Sequence, residues 1–334
     1  MALFIFILSA AKDLSVRPDW TEPLRLLFCG TPRFAVPALQ HLLAQNDFEI
    51  VAVITQPDRP RGRGQEVSFS PVKETALPAQ IPVFQPEKIR TAESEQFLRG
   101  AAPDAIVIIA YGQIIPARLL QIPKLGWINS HASLLPKYRG AAPIQWAIAS
   151  GETITGVTTM RIDAGMDTGE MLLQRTTPIG ASERTPELAA RLAELSAPLM
   201  AETLRGLRDG SLRPIAQNHS EATMAPLLKK EDGRIDWAQP AQTIFNRMRG
   251  FTPWPGAYTS FRGATCQLSG EPASNDQGLK LAPGQMRLDH ANLLVGCGGE
   301  TLLGVSRVKV EGRKEVSALE FANGARLQPG EQFA

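Results

Sequence analysis

The residues best suited to chemistry fall in one stretch, WINSHASLLPKYRGAAP, spanning Trp127–Pro143. Asn129 and His131 stand two apart at the end of a β-type run, so in an extended chain their side chains share a face. An amide beside an imidazole places a hydrogen-bond donor next to a group that exchanges protons near neutral pH. Further on, IDAGMDTGE sets Asp163 and Asp167 in a glycine-rich loop. A carboxylate there, Asp167 above all, could orient the imidazole and stabilise its charged form. Each piece alone also has a structural reading, the histidine as a hydrogen-bonder and the Asp-Gly pairs as turns. Of the four histidines, only His131 has an amide two residues before it at an expected sheet edge.

Those side chains need a scaffold. Arg25–Cys29 (RLLFC) reads as a buried strand ending in Gly30-Thr31-Pro32, followed by an amphipathic stretch Phe34–Leu43 and a β-branched run Glu49–Thr55. Strand, turn, helix, strand within about 30 residues marks a βαβ unit and a parallel sheet. Asp104–Ala110 (DAIVIIA) is apolar throughout, as a central strand covered on both faces would be. Gly126–Ser130 reads as a strand and Ala141–Ala149 as a helix beginning near Pro143. Gly156–Arg161 and Glu170–Pro178 read as further strands, and Thr185–Leu207 as a long helix. Ligands of such sheets bind at the C-terminal edge, where the Asn-x-His pair would sit. The polar stretch Arg208–Lys230 then reads as a linker. Beyond it only Ala241–Arg249 reads as helix, among short β runs at Ala257–Phe261, Leu293–Cys297 and Leu302–Val310, a pattern that predicts a small β-barrel.

A chain of 334 residues with 43% apolar residues suits two globular domains. The expected division is an N-terminal extension over 1–23, a catalytic domain over 24–207, a linker over 208–229 and a β-barrel over 230–334. The net charge of only +2 means that any nucleic-acid contact must come from local clusters. Three scattered cysteines, Cys29, Cys266 and Cys297, form no CxxC pair, so neither a zinc site nor a disulfide framework is expected, and reduced thiols suit a cytoplasmic protein. The opening MALFIFILSAAKDL has no Lys or Arg before its apolar run and falls short of the roughly 20 residues that span a bilayer. It is expected to be an extension rather than a signal peptide or membrane anchor.

The runs NSHASLLPKYRGAAPIQ and TGVTTMRIDAGMDTGEML closely resemble the folate-dependent formyltransferase family, in which HxSLLP, RGAAPIQ and GxDTG in this order are specific. The resemblance extends from about Arg25 to beyond Tyr258 and includes FCGTPRFAVPAL, the loop TQPDRPRGRGQ and FTPWPGAY, features of the branch that acts on methionyl-tRNA. Ala132 and Tyr138 stand where glycine and tryptophan are common. The resemblance implies a Rossmann-like, mostly parallel sheet in the N-terminal formyltransferase domain and an OB-like barrel in the C-terminal one. It further implies Asn129, His131 and Asp167 as catalytic residues. Ser133, Leu134, Leu135 and Pro136 would contact 10-formyltetrahydrofolate, with no metal involved.

The chemistry of these residue types agrees: an amine would attack a formyl carbon, Asn129 would donate to the developing oxyanion and His131 would move a proton. In DRPRGRG, Arg59, Arg61 and Arg63 alternate with Pro and Gly, which should keep the segment out of helices and strands. Its guanidinium groups suit phosphate contact, and the resemblance assigns them to initiator methionyl-tRNA. Lys229, Lys230, Arg234, Arg247, Arg249, Arg313 and Lys314 would form a basic face on the barrel. A monomer is expected. Competing readings are a formyltransferase for a sugar nucleotide or other small amine, which would lack the Arg-rich loop, and a nucleotide-binding oxidoreductase, from which Gly30-Thr31-Pro32-Arg33 departs by missing G-x-G-x-x-G.

Overall fold

In the computed structural model, the expected first strand is β1 (Leu24–Gly30), buried over nearly its whole length because its apolar residues alternate between two covered faces. The structure describes residues 22–61, 66–275, 278–290 and 292–334, so the N-terminal extension lies outside the described residues up to position 21, as does Arg63. After a 3₁₀ turn at Arg33–Ala35 comes α1 (Val36–Leu43), started by a proline in its first turn and turning Ala38, Leu39 and Leu42 inward. Then follow β2 (Phe48–Ile54), β3 (Arg59–Arg61), β4 (Glu66–Ser68), α2 (Pro71–Ala76), β5 (Val83–Phe84), α3 (Ala92–Ala101), β6 (Ala105–Ile109) and α4 (Ala117–Leu120). Last in this half of the sequence are β7 (Trp127–His131), α5 (Pro143–Ala149), β8 (Ile154–Arg161), β9 (Met171–Pro178) and α6 (Thr185–Arg208).

The main sheet has the order β5-β2-β1-β6-β7-β8-β9. Its first five strands are mutually parallel, β8 runs antiparallel to β7, and β9 antiparallel to β8. Leu24, Leu26 and Phe28 pack on one face with α1 and with Met200, Ala201 and Leu204 of α6. Leu27 and Cys29 pack on the other with Leu98 of α3 and Leu119 of α4. The chain reverses direction between β1 and β6, and in such sheets that reversal opens a crevice at the carboxyl ends of the strands.

One expectation is corrected. Pro and Gly do not keep DRPRGRG out of strands: Arg59–Arg61 pairs antiparallel with Glu66–Ser68, Pro60 opposite Val67. Both strands of a two-stranded ribbon are edges, so a proline without an N–H is tolerated there.

Two compact units divide the chain. One comprises residues up to Pro143, Ile154–Pro178 and Ala189–Ala225, and the other Ile144–Thr153, Ile179–Leu188 and Pro226–Ala334. The second holds α7 (Ala241–Gly250), β10 (Tyr258–Phe261), β11 (Ala264–Ala273), β12 (Met286–Asp289), β13 (Asn292–Cys297), β14 (Thr301–Val310), β15 (Val316–Ser317) and α8 (Ala318–Ala325). Its antiparallel sheet runs β10-β11-β14-β13-β12, with β15 on β14. Residues 331–334 join the two edges. Ser260 and Ala334 exchange backbone hydrogen bonds of 3.0 and 2.9 Å beside β10. On the β12 side, Met286 N–H donates to Glu331 O at 2.8 Å and Phe333 N–H to Gly284 O at 2.9 Å. The sheet thereby closes into a barrel around Trp237, Phe261, Phe321 and Phe333. Helix α8 is an addition to the single helix expected here.

Candidate active site

The orientation of β7 follows from the residue between the two candidates. Ser130 Oγ lies 2.6 Å from Ser196 Oγ of α6, so Asn129 and His131 turn to the opposite face, shared with Trp127. Trp127 is buried and donates from Nε1 to Leu119 O at 2.9 Å, which fixes that face. Asn129 stands abreast of Ile108 on β6 and Met160 on β8, and His131 is the last residue of β7. The pair thus sits at the carboxyl end of the parallel strands. The Asn129 amide has no hydrogen-bond partner among the described residues, and a half-buried amide left free in this way is available to a ligand.

His131 is 5% exposed. Its Nε2 lies 2.9 Å from Tyr138 O. A carbonyl only accepts, so the proton sits on Nε2 and Nδ1 carries the lone pair. Nδ1 faces Asp167 Oδ2 at 3.7 Å, beyond a hydrogen bond.

The loop after β8 carries Asp167. Asp163 Oδ1 accepts from Gly165 N–H at 3.0 Å and Thr168 Oγ1 at 2.8 Å, so Asp163 shapes the loop. Gly169 lies so near the Arg161 carbonyl that a Cβ would stand 1.8 Å from it. Asp167 itself has φ 52°, a left-handed conformation, and its Oδ2 accepts from Gly140 N–H at 2.8 Å. Gln217 Nε2 donates to Asp167 O at 2.8 Å and Gly169 O at 2.7 Å. Gln217 belongs to the stretch read as a linker, whose polar composition gave no sign of this contact.

The SLLP segment follows β7 directly. Ser133 is fully buried and donates to Lys137 O at 2.6 Å. Leu135 is buried, its N–H donates to Thr158 Oγ1 at 3.1 Å, and its carbonyl accepts from Gln174 Nε2 at 2.8 Å. Ser133 and Leu135 are committed to the fold, which leaves the half-buried Leu134 and Pro136 as the apolar side chains a ligand could meet.

A cavity of about 1130 Å³ lies elsewhere on the same edge, at the β1–β6 reversal, lined by Thr31, Gln56, Arg59, Tyr111 and Gln113 among others. Asn129, His131 and Asp167 do not line it. Arg59 is exposed, with Glu87 3.7 Å away, and Asp58 at the foot of the ribbon pairs with Lys73. Arg61 pairs with Glu66 through the backbone. Of the expected basic face, Arg249 is instead buried. It donates from Nη1 to Gly180 O at 3.0 Å and Glu183 O at 3.1 Å, and burial lowers its pKa although Glu183 opposes this. Lys229, Lys230, Arg234, Arg313 and Lys314 are exposed. The cysteines are all buried; burial raises the pKa of Cys29 and Cys266 and pushes that of Cys297 up to about 12, so none is a ready nucleophile.

An amide, an imidazole and a carboxylate at the edge of a Rossmann-like sheet suit acyl transfer to an amine, and the chain belongs to the formyl transferase family. The family's N-terminal model matches residues 24–204 and its C-terminal domain model residues 227–326. The chain is 54% identical over 302 residues to the methionyl-tRNA formyltransferase of Koribacter versatilis, covering 90% of this chain and 96% of that one. It is 55% identical over 311 residues to that of Solibacter usitatus, covering 93% and 98%. In fold it is similar to the N-formyltransferase from Helicobacter canadensis in complex with folinic acid and dTDP-3-aminofucose. There the TM-score is 0.62 and the identity 18%, over 84% of this chain and 98% of that one.

Proposed function

We propose that this formyltransferase transfers the formyl group of 10-formyltetrahydrofolate to the α-amino group of initiator methionyl-tRNA. The acceptor rests on one observation: identities of 54% and 55% to enzymes named for it, against 18% for a sugar-nucleotide relative. The folate co-substrate supplies the formyl carbon. The residues present fit it, since Leu134 and Pro136 offer apolar surface within a few residues of His131 and polar backbone groups lie in the Arg161–Asp167 loop.

The amine forms a bond to the formyl carbon, and the bond from that carbon to the folate nitrogen breaks. Asn129 donates its free amide hydrogen to the oxygen as negative charge builds there. His131 Nδ1 takes the proton the amine loses and returns it to the departing folate nitrogen. Asp167, 3.7 Å from Nδ1, orients the ring toward the reacting atoms. The Arg59 ribbon and the exposed basic residues of the barrel contact tRNA phosphates, so affinity falls steeply with salt.

The test is formyl transfer to charged initiator methionyl-tRNA, with an amino-sugar nucleotide and glycinamide ribonucleotide run alongside. Selective formylation of the tRNA is expected, and replacing Arg59, Arg61 and Arg63 together should raise its KM while leaving the fold intact. Preferential turnover of a small amine would overturn the acceptor and leave the site chemistry standing.

A further inference from the structure

Buried charges outside the reacting groups are few, and one lies beside the site. Arg139 is 6% exposed, and among the described residues no carboxylate approaches its guanidinium within ion-pair distance. Burying a guanidinium without a counter-charge is costly unless its N–H groups are all engaged. Arg139 donates from Nε at 3.0 Å and from Nη2 at 2.6 Å to one acceptor, Gln217 Oε1, and from Nη2 to His219 Nδ1 at 3.1 Å.

We propose that Arg139 and Gln217 are a positioning pair that sets Asp167 opposite His131, a role that rests on the catalytic reading of Asp167 above. An amide can face either way. Two donations from Arg139 onto one end fix that end as oxygen, so the NH₂ end must face Asp167 O and Gly169 O, which it reaches at 2.8 and 2.7 Å. Those two carbonyls bracket the turn in which Asp167 takes its left-handed φ of 52°, a conformation that costs a residue with a Cβ more than glycine and that the two donations help to hold.

The neighbouring backbone completes the hold. Gly140 N–H, next in sequence to Arg139, donates to Asp167 Oδ2 at 2.8 Å. Arg139 is pinned in turn: its N–H donates to Thr223 O at 2.8 Å and its carbonyl accepts from Ala225 N–H at 2.7 Å. Tyr138, whose carbonyl takes the His131 Nε2 proton, donates its own N–H to Thr223 Oγ1 at 2.9 Å. Both members of the His131–Asp167 pair therefore hang from residues 138–140, and that stretch is tied to residues 217–225. Gln217 holds the backbone of Asp167, Gly140 holds its carboxylate, and Arg139 holds Gln217.

Gln217→Glu is the discriminating variant. It keeps an oxygen for Arg139, with added charge attraction, and replaces the NH₂ donor by an oxygen that repels both loop carbonyls. The expected result is a kcat lower by roughly 10- to 100-fold, the scale of a small misplacement of a reacting group. KM for 10-formyltetrahydrofolate should change less than kcat, because Leu134 and Pro136 stay in place while the Asp167 carboxylate is displaced. In an Asp167→Asn background the same change should alter kcat by less than about twofold, because residues acting as a unit are non-additive. Thermal unfolding checks that each variant is folded. Should Q217E fail to fold, Arg139→Lys keeps the buried charge, loses the fork and carries the same readouts.

A Q217E enzyme at the wild-type kcat overturns the positioning role. So does a loss that multiplies in full on top of D167N. If D167N itself runs at the wild-type rate, the catalytic reading of Asp167 fails and takes this role with it, an outcome distinct from the other two.

Discussion

At the scale of single residues, the site depends on what each polar atom is left free to do. His131 spends Nε2 on a backbone carbonyl and leaves the Nδ1 lone pair without a donor, whereas the Asn129 amide has no hydrogen-bond partner among the described residues. Removing one oxyanion donor from such a site typically costs about 10²- to 10³-fold in kcat. Asn129→Ala should fall in that range with near-normal folate binding, as read by single-turnover formylation beside equilibrium folate titration. A loss confined to KM would place Asn129 in binding instead. That Asn129 and His131 share one face could be read from their spacing, because period-two geometry puts them there whatever the rest of the fold does. The contact of Arg139 with Gln217 could not, since they meet 78 positions apart through a loop without periodicity.

At the scale of elements, the sequence reading was most accurate where burial imposes a pattern. β1, β2 and β6 are mostly apolar runs that a parallel sheet covers on both sides, and α6 is long enough for its 3.6-residue period to show. Short elements escaped. The β3–β4 ribbon rests on three pairs and includes a proline, and α8 is only eight residues of mostly small side chains. What starts α8 is local: Ser317 accepts from Glu320 N–H, and the Glu320 carboxylate accepts in return from Ser317 N–H at 2.8 Å. This reciprocal cap satisfies two N–H groups left free at the helix start. Ser317→Ala should lower unfolding stability by about 1 kcal/mol, measured as a shift in urea midpoint, with formylation of a small acceptor analogue unchanged. No shift would mean that α8 is held by Phe321 packing alone.

At the scale of the whole molecule, acid sensitivity is set by carboxylates that the fold holds below their ordinary pKa. Asp47 is one. A hydrogen bond from Arg205 lowers its pKa below 3.8, against the opposing effect of burial, with Arg208 adding to the attraction. The folded state binds that proton less readily than the unfolded chain, so the contribution is complete above the ordinary value and is lost as pH falls through the lowered one. Arg205→Gln should therefore unfold more readily at pH 7 and show a smaller further loss on going to about pH 3; equal losses in both proteins would rule out the pair as a source. The buried cysteines carry a different kind of consequence. With three thiols enclosed and their ionisation suppressed, the native enzyme offers no ready target to a maleimide. A single cysteine introduced at exposed Ser68, at the end of the Arg59 ribbon, would be the one position a fluorophore could label. The chain thus comes ready-made for optical tracking of that ribbon, with and without added methionyl-tRNA.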